Sequence, residues 1–96
     1  MNSAYKPFPL GRIVATRGAI ETVPNHRILQ CLQLHASGEW EEVPPEDARE
    51  NNYSTYNALR ILSSYLIDPD LPGQGKFWII TEADRSSTCV LLPSEY

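Results

Sequence analysis

Apolar positions recur along this chain with two different periods. Ile28, Leu29, Leu32 and Ala36 follow Asn25 at helical spacing, on one stripe of an amphipathic helix. Asn25 stands where an N-cap is expected. Gly38 sits where such a helix turns left-handed to stop, and Trp40 is placed to fold back on its last turn. From Arg60 the period shortens to two. Residues 60–67, 76–82 and 87–92 are rich in β-branched and aromatic side chains and are separated by turn signals, which predicts three strands.

Strands joined this closely in sequence form an antiparallel meander most simply. Asp68 to Gly75 is the long first connection, Ala83 to Ser86 the tight second one, and Pro93 stops the last strand. Ahead of the helix, Arg12-Ile-Val-Ala-Thr16 predicts a short first strand. Thr16 then caps a short helix through Ala19, Ile20 and Glu21, which Pro24 ends. A third helix is expected over residues 45–58, with prolines at its entry and acids in its first turn, where the helix dipole favours negative charge. Residues 1–11 read as an irregular arm. The fold class expected is α+β: a single domain over residues 1–96, with two or three short helices on one face of a small antiparallel sheet built from the C-terminal meander and the short N-terminal strand.

Alternation also divides the strands by face. Phe77, Ile79 and Thr81 point one way and Trp78, Ile80 and Glu82 the other; Ile61, Ser63, Tyr65 and Ile67 oppose Leu62, Ser64 and Leu66. Both faces are partly apolar. Short helices cover one, so the other calls for the arm, a second subunit or a partner protein.

Composition narrows the chemistry. The 96 residues suffice for one core, and 42% hydrophobic with 21% charged residues is ordinary for a folded domain. Twelve acidic against eight basic residues leave a net charge of −4, which disfavours direct nucleic-acid binding because phosphate recognition needs clustered Lys and Arg. No apolar run approaches bilayer length and the N-terminus lacks the apolar core of a secretion signal, so a cytoplasmic protein without membrane association is expected. Cys31 and His35 share a helix face by spacing, but two ligands do not make a metal site; no metal and no cofactor are expected.

Glu82-Ala-Asp-Arg-Ser86 is the strongest polar constellation. An acid pair beside an arginine suits acid/base work or anion binding. The same residues suit a plain turn, with Asp84 bonding the backbone two residues on and Arg85 pairing with Glu82 or the C-terminal acids, or the rim of a recognition surface.

The stretches Leu10-Gly-Arg-Ile-Val-Ala-Thr16, Ser37-Gly-Glu-Trp40, Arg60-Ile-Leu-Ser-Ser-Tyr65, Trp78-Ile-Ile-Thr-Glu-Ala-Asp-Arg-Ser86 and Leu91-Leu-Pro-Ser-Glu-Tyr96 resemble a group of short, poorly characterised accessory proteins of bacterial plasmids and other mobile elements. The likeness covers most of the chain and is most specific in the tail. It departs at Asn25 to Cys31 and in the Asp68 to Gly75 loop. The resemblance implies a setting in which small acidic proteins bind and block host defence complexes, and carries over no catalytic residue. The expectation is a non-enzymatic protein-binding module, an anti-CRISPR or anti-restriction inhibitor, with Tyr65, Trp78 and Ile80 as apolar anchors and Glu82, Asp84 and Arg85 as polar rim. Two alternatives stand beside it: a ribonuclease-type toxin using His35, Asp84 and Arg85, and a homodimeric structural protein with no host target.

Overall fold

The computed structural model describes residues 8–38 and 59–96. The third helix expected over residues 45–58 and the fold-back of Trp40 lie outside these. The described elements run β1 (Arg12–Ala15), α1 (Arg17–Thr22), α2 (Asn25–Ala36), β2 (Ile61–Leu66), β3 (Lys76–Thr81) and β4 (Ser87–Leu91), with short 3-10 turns at Pro72–Gln74 and Pro93–Glu95.

The four strands form one sheet in the order β1-β4-β3-β2. The three C-terminal strands make the expected antiparallel meander, with Tyr65 opposite Phe77 and Ile79 opposite Val90. β1 joins the far edge of β4 in parallel, Arg12 beside Ser87 and Ala15 beside Val90. The sheet is therefore mixed, and the domain is α+β.

The helix starts follow from local chemistry. Thr16 caps α1, its Oγ1 accepting the Ala19 N–H at 3.2 Å. The expected Asn25 cap is replaced by Pro24, which sits in an extended conformation and accepts the first N–H bonds of α2 on its carbonyl; Asn25 is already inside the helix. Proline's fixed φ and its hold on the residue before it account for that boundary.

The buried stripe of α2 also differs from the one read by hydrophobicity. Arg27, Ile28, Cys31, Leu32 and His35 face the sheet, while Leu29 is exposed. Two polar residues belong to this stripe because the sheet supplies their partners. Arg27 donates through Nε to the Leu66 carbonyl at 2.9 Å and through Nη1 to Gln30, and His35 bonds strand hydroxyls.

The inner sheet face, bearing Tyr65, Phe77, Ile79 and Val90, packs with Ala19, Val23, Ile28, Cys31 and Leu32 into one core. Burying each large apolar side chain stabilises by about 1.5–3 kcal/mol. A smaller cluster joins Phe8, Leu10 and Ile61, so the arm closes one end of the core.

Candidate protein-binding face

The outer sheet face is built by register. Leu62, Ile80, Cys89 and Val14 form one row across all four strands, and Ser64, Trp78 and Leu91 form the next. Leu62 is 38% exposed and Val14 41%, at opposite edges of the row, while Ile80 between them is only 3% exposed.

Part of this face is covered by the tail. The Tyr96 ring meets Trp78 edge-on at 5.7 Å, and the Arg60 guanidinium lies 5.4 Å over Tyr96 and donates to its hydroxyl at 2.8 Å. Glu95 fixes the tail in place. Its carboxylate accepts from the Thr16 hydroxyl, from Leu92 N at 2.9 Å and from Gly18 N at 3.1 Å. The Thr16 hydrogen bond, followed by that from Leu92, holds Glu95 below the usual carboxylate range.

The expected anchors are not brought together. Tyr65 points to the helix side and is fully buried, so it is a core residue with no surface to offer a partner. Strand alternation separates it from Trp78, since Ser64 and not Tyr65 pairs with Trp78. Ile80 shares the outer face with Trp78 but is buried. Half-buried Trp78 remains on the outer face, with exposed Leu62 on the neighbouring strand β2 and exposed Val14 beyond β4 at the far edge, neither of them among the expected anchors. Leu62 was legible from alternation alone; Val14 needed the partner of β1.

The Glu82–Ser86 turn is shaped as its acids suggested. Ser86 N–H donates to Asp84 Oδ1 at 2.9 Å, and Arg85 N–H to the Glu82 carbonyl at 2.9 Å. Hydrogen bonds from Ser86, its side chain first, lower the exposed Asp84 carboxyl below its ordinary value. Arg85 does not pair with Glu82 through charge. Its Nη1 donates to the carbonyls of Leu59 at 2.8 Å, Glu82 at 3.0 Å and Ala83 at 3.2 Å, and its guanidinium lies 5.3 Å over the Phe8 ring. Arg60 takes the ionic role, 3.7 Å from Glu82. Both groups of that pair are about half exposed, so it contributes little to stability. Arg85 is thus a clamp joining the turn, the entry to β2 and the arm, while Glu82, paired with Arg60, and Asp84, bonded by Ser86, are the turn's exposed acids.

His35 lies on the other side of the sheet, fully buried. Nδ1 is 2.5 Å from Ser63 Oγ and Nε2 is 2.8 Å from Thr81 Oγ1. Thr81 Oγ1 is 2.7 Å from Thr88 Oγ1, which donates to the Leu10 carbonyl at 2.7 Å. Burial, and secondarily the charge of Arg85, lower the His35 pKa to about 3. The His35, Asp84 and Arg85 of the nuclease-type expectation therefore do not share a solvent-facing site: the imidazole is inside the core, Arg85 is engaged with carbonyls and Asp84 is exposed.

Cys31 and Cys89 form no disulfide; Cys31 lies under α2 and Cys89 on the outer face. Burial, then Glu95 and Glu82, raise the Cys89 thiol pKa. Among the described residues no three His, Cys, Asp or Glu side chains converge as metal ligands, and no helix is long and apolar enough to cross a membrane. No family model, curated protein or solved structure matches the chain, so the case for a function rests on the residues of this face and turn.

Proposed function

We propose that this chain is a non-enzymatic protein-binding accessory protein of a mobile element, acting in the cytoplasm as an inhibitor of a host defence complex of the CRISPR or restriction type. The observation that carries the reading is the outer sheet face: a row of apolar side chains with Leu62 and Val14 left open at its two edges, half-buried Trp78 beside it, and the acids Glu82 and Asp84 at one end. Apolar anchors within a polar rim suit protein recognition better than small-molecule chemistry. The anchors of this reading are Leu62, Trp78 and Val14, in place of Tyr65 and Ile80. The resemblance to mobile-element accessory proteins supplies the class of partner.

The test is plasmid establishment in a bacterial host carrying an active CRISPR or restriction system, with and without the protein expressed. Restored establishment by the wild-type protein, lost in Leu62→Asp and Val14→Asp variants of unchanged Tm, is expected. Protection by those variants equal to wild type would remove this face from the mechanism. No protection in any host tested would defeat the inhibitor reading.

A further inference from the structure

We propose that β1 is a docking edge for a second copy of this chain: two β1 strands pair antiparallel about a twofold axis at Val14 and join two four-stranded sheets edge to edge. This does not rest on the inhibitor reading, and the outer face stays open in the pair.

The open edge follows from the ladder. β1 is a terminal strand of the sheet, with β4 on one side only. The Arg12 and Thr16 N–H groups donate to the Ser86 and Val90 carbonyls at 3.0 and 2.9 Å, so the even-numbered residues turn their backbone toward β4. The N–H and C=O groups of Ile13 and Ala15 point the other way, where no strand of the described residues pairs with them. The strand is also apolar on both sides, with Ile13 51% exposed and Val14 41%. An edge that is open, β-branched and without proline is a template for another strand. At the opposite edge of the sheet, Arg27 reaches over the end of β2 and occupies the Leu66 carbonyl.

A second copy fits this edge because a twofold axis makes the two strands antiparallel and self-complementary. With Val14 on the axis, Ile13 lies opposite Ala15 of the second copy, and their outward N–H and C=O groups exchange hydrogen bonds; the reciprocal pair does the same. Val14 faces its own counterpart in a non-hydrogen-bonded pair, where side chains approach most closely. The outer row of Leu62, Ile80, Cys89 and Val14 then runs on across the axis.

Charge agrees with this register. Arg12 and Thr16 lie on the same side of β1 as Val14, since Thr16 keeps an extended backbone of φ −72° and ψ 160°. In the pair, Arg12 stands opposite Thr16 of the second copy. Thr16 is where the Glu95 carboxylate is held, by its hydroxyl and by the Gly18 N–H at 3.1 Å. The exposed Arg12 of each copy therefore meets the Glu95 carboxylate of the other, once at each end of the contact. An axis shifted to Ile13 would set Arg12 against Val14 instead. A contact made by two four-residue strands is small, so the pair dissociates on dilution.

The experiment is sedimentation equilibrium of the full chain under reducing conditions, from about 1 μM to 1 mM, the span of weak association. A monomer–dimer equilibrium is expected. Arg12→Glu, which sets two acids together at each end of the contact, should weaken it on the order of tenfold. Ile13→Pro, which removes an outward N–H and leaves the β4 ladder intact, should abolish it. Crosslinking then reads the register. Cα atoms of a non-hydrogen-bonded antiparallel pair lie about 4.5 Å apart, within disulfide reach. Val14→Cys should therefore give a covalent dimer on mild oxidation, in a Cys89→Ser background that removes the thiol beside it on β4, and Leu62→Cys in the same background should not. A monomer at every concentration, full-strength association in Arg12→Glu or in a folded Ile13→Pro variant, or crosslinking through Leu62→Cys and not Val14→Cys would each overturn the proposal. If Ile13→Pro does not fold, the charge reversal and the crosslinks decide.

Discussion

Replacing Gly11 by alanine tests the close approach of arm and turn. Gly11 has φ 65°, and a Cβ built on it would lie 2.5 Å from the Ser86 carbonyl oxygen and 2.6 Å from its carbon, in conflict also with the Arg85 carbonyl oxygen. The left-handed conformation alone costs an alanine roughly 1–2 kcal/mol. The neighbours are backbone, so the overlap is relieved only by moving the arm off the turn; overpacking of this kind costs typically about 1–3 kcal/mol. Gly11→Ala is therefore expected to destabilise by about 2–5 kcal/mol, and at roughly 4–8 °C per kcal/mol for a domain of this size the Tm falls by on the order of 10 °C or more.

Two other glycines separate the contributions. Gly75 has φ 99° and ψ −169°, a region that only glycine populates readily, with nothing within 4 Å of its Cβ position, so Gly75→Ala carries a conformational cost of about 1–3 kcal/mol without any overlap. Gly73 has open space and no positive φ, and Gly73→Ala should be neutral or stabilising by up to about 1 kcal/mol through the unfolded chain. Urea unfolding of the three variants gives the order directly. A Gly11→Ala loss of no more than about 1 kcal/mol would refute the close seating of arm on turn.

Two further outcomes are expected. Thr81→Val removes the buried hydroxyl that hydrogen-bonds both His35 Nε2 and Thr88 Oγ1, and should cost about 1–3 kcal/mol in denaturant unfolding; a neutral result would mean that these bonds are not formed. Glu95, whose folded pKa is depressed, contributes stability that is present above the ordinary carboxylate pKa and is lost as pH falls through the lowered folded value. Glu95→Gln should consequently lower stability at neutral pH, with the gap to wild type closing in acid; a gap that widens in acid would contradict the sign.

Much of the sheet was legible because alternation is a local property. β2, β3 and β4 each carry their face assignment in their own residues, and the Asp84 turn carries its own hydrogen bond. What alternation cannot say is which face the helices cover, and that is why Tyr65 read equally well as anchor or core. Arg85 was misassigned for a related reason. Its nearest charge in sequence is Asp84, but it donates at 2.8 Å to the Leu59 carbonyl, which only the tertiary fold delivers. The parallel docking of β1 is likewise invisible in four residues with no strand beside them in sequence. The His35 chain left one trace that could have been followed: Ser63, Thr81 and Thr88 are hydroxyl residues on the inward side of three neighbouring strands, where aliphatic residues are the norm. Three inward hydroxyls on strands and one histidine on the helix stripe ask to be read together.

The parallel seat of β1 has a kinetic consequence. The residues that hold it and α1 in place, Ser86 to Val90 and then Glu95, are made some seventy residues after Arg12 to Gly18. The two antiparallel hairpins of β2, β3 and β4 can close soon after they leave the ribosome, whereas β1 has nothing to dock on until then. At synthesis rates of roughly 5–20 residues per second it stays unpaired for several seconds. Contacts of such long sequence separation also slow refolding of the whole chain. During that interval Ile13 and Val14 are an unpaired β-branched segment, and arrested chains that stop short of Glu95 are where this protein should be most dependent on chaperones.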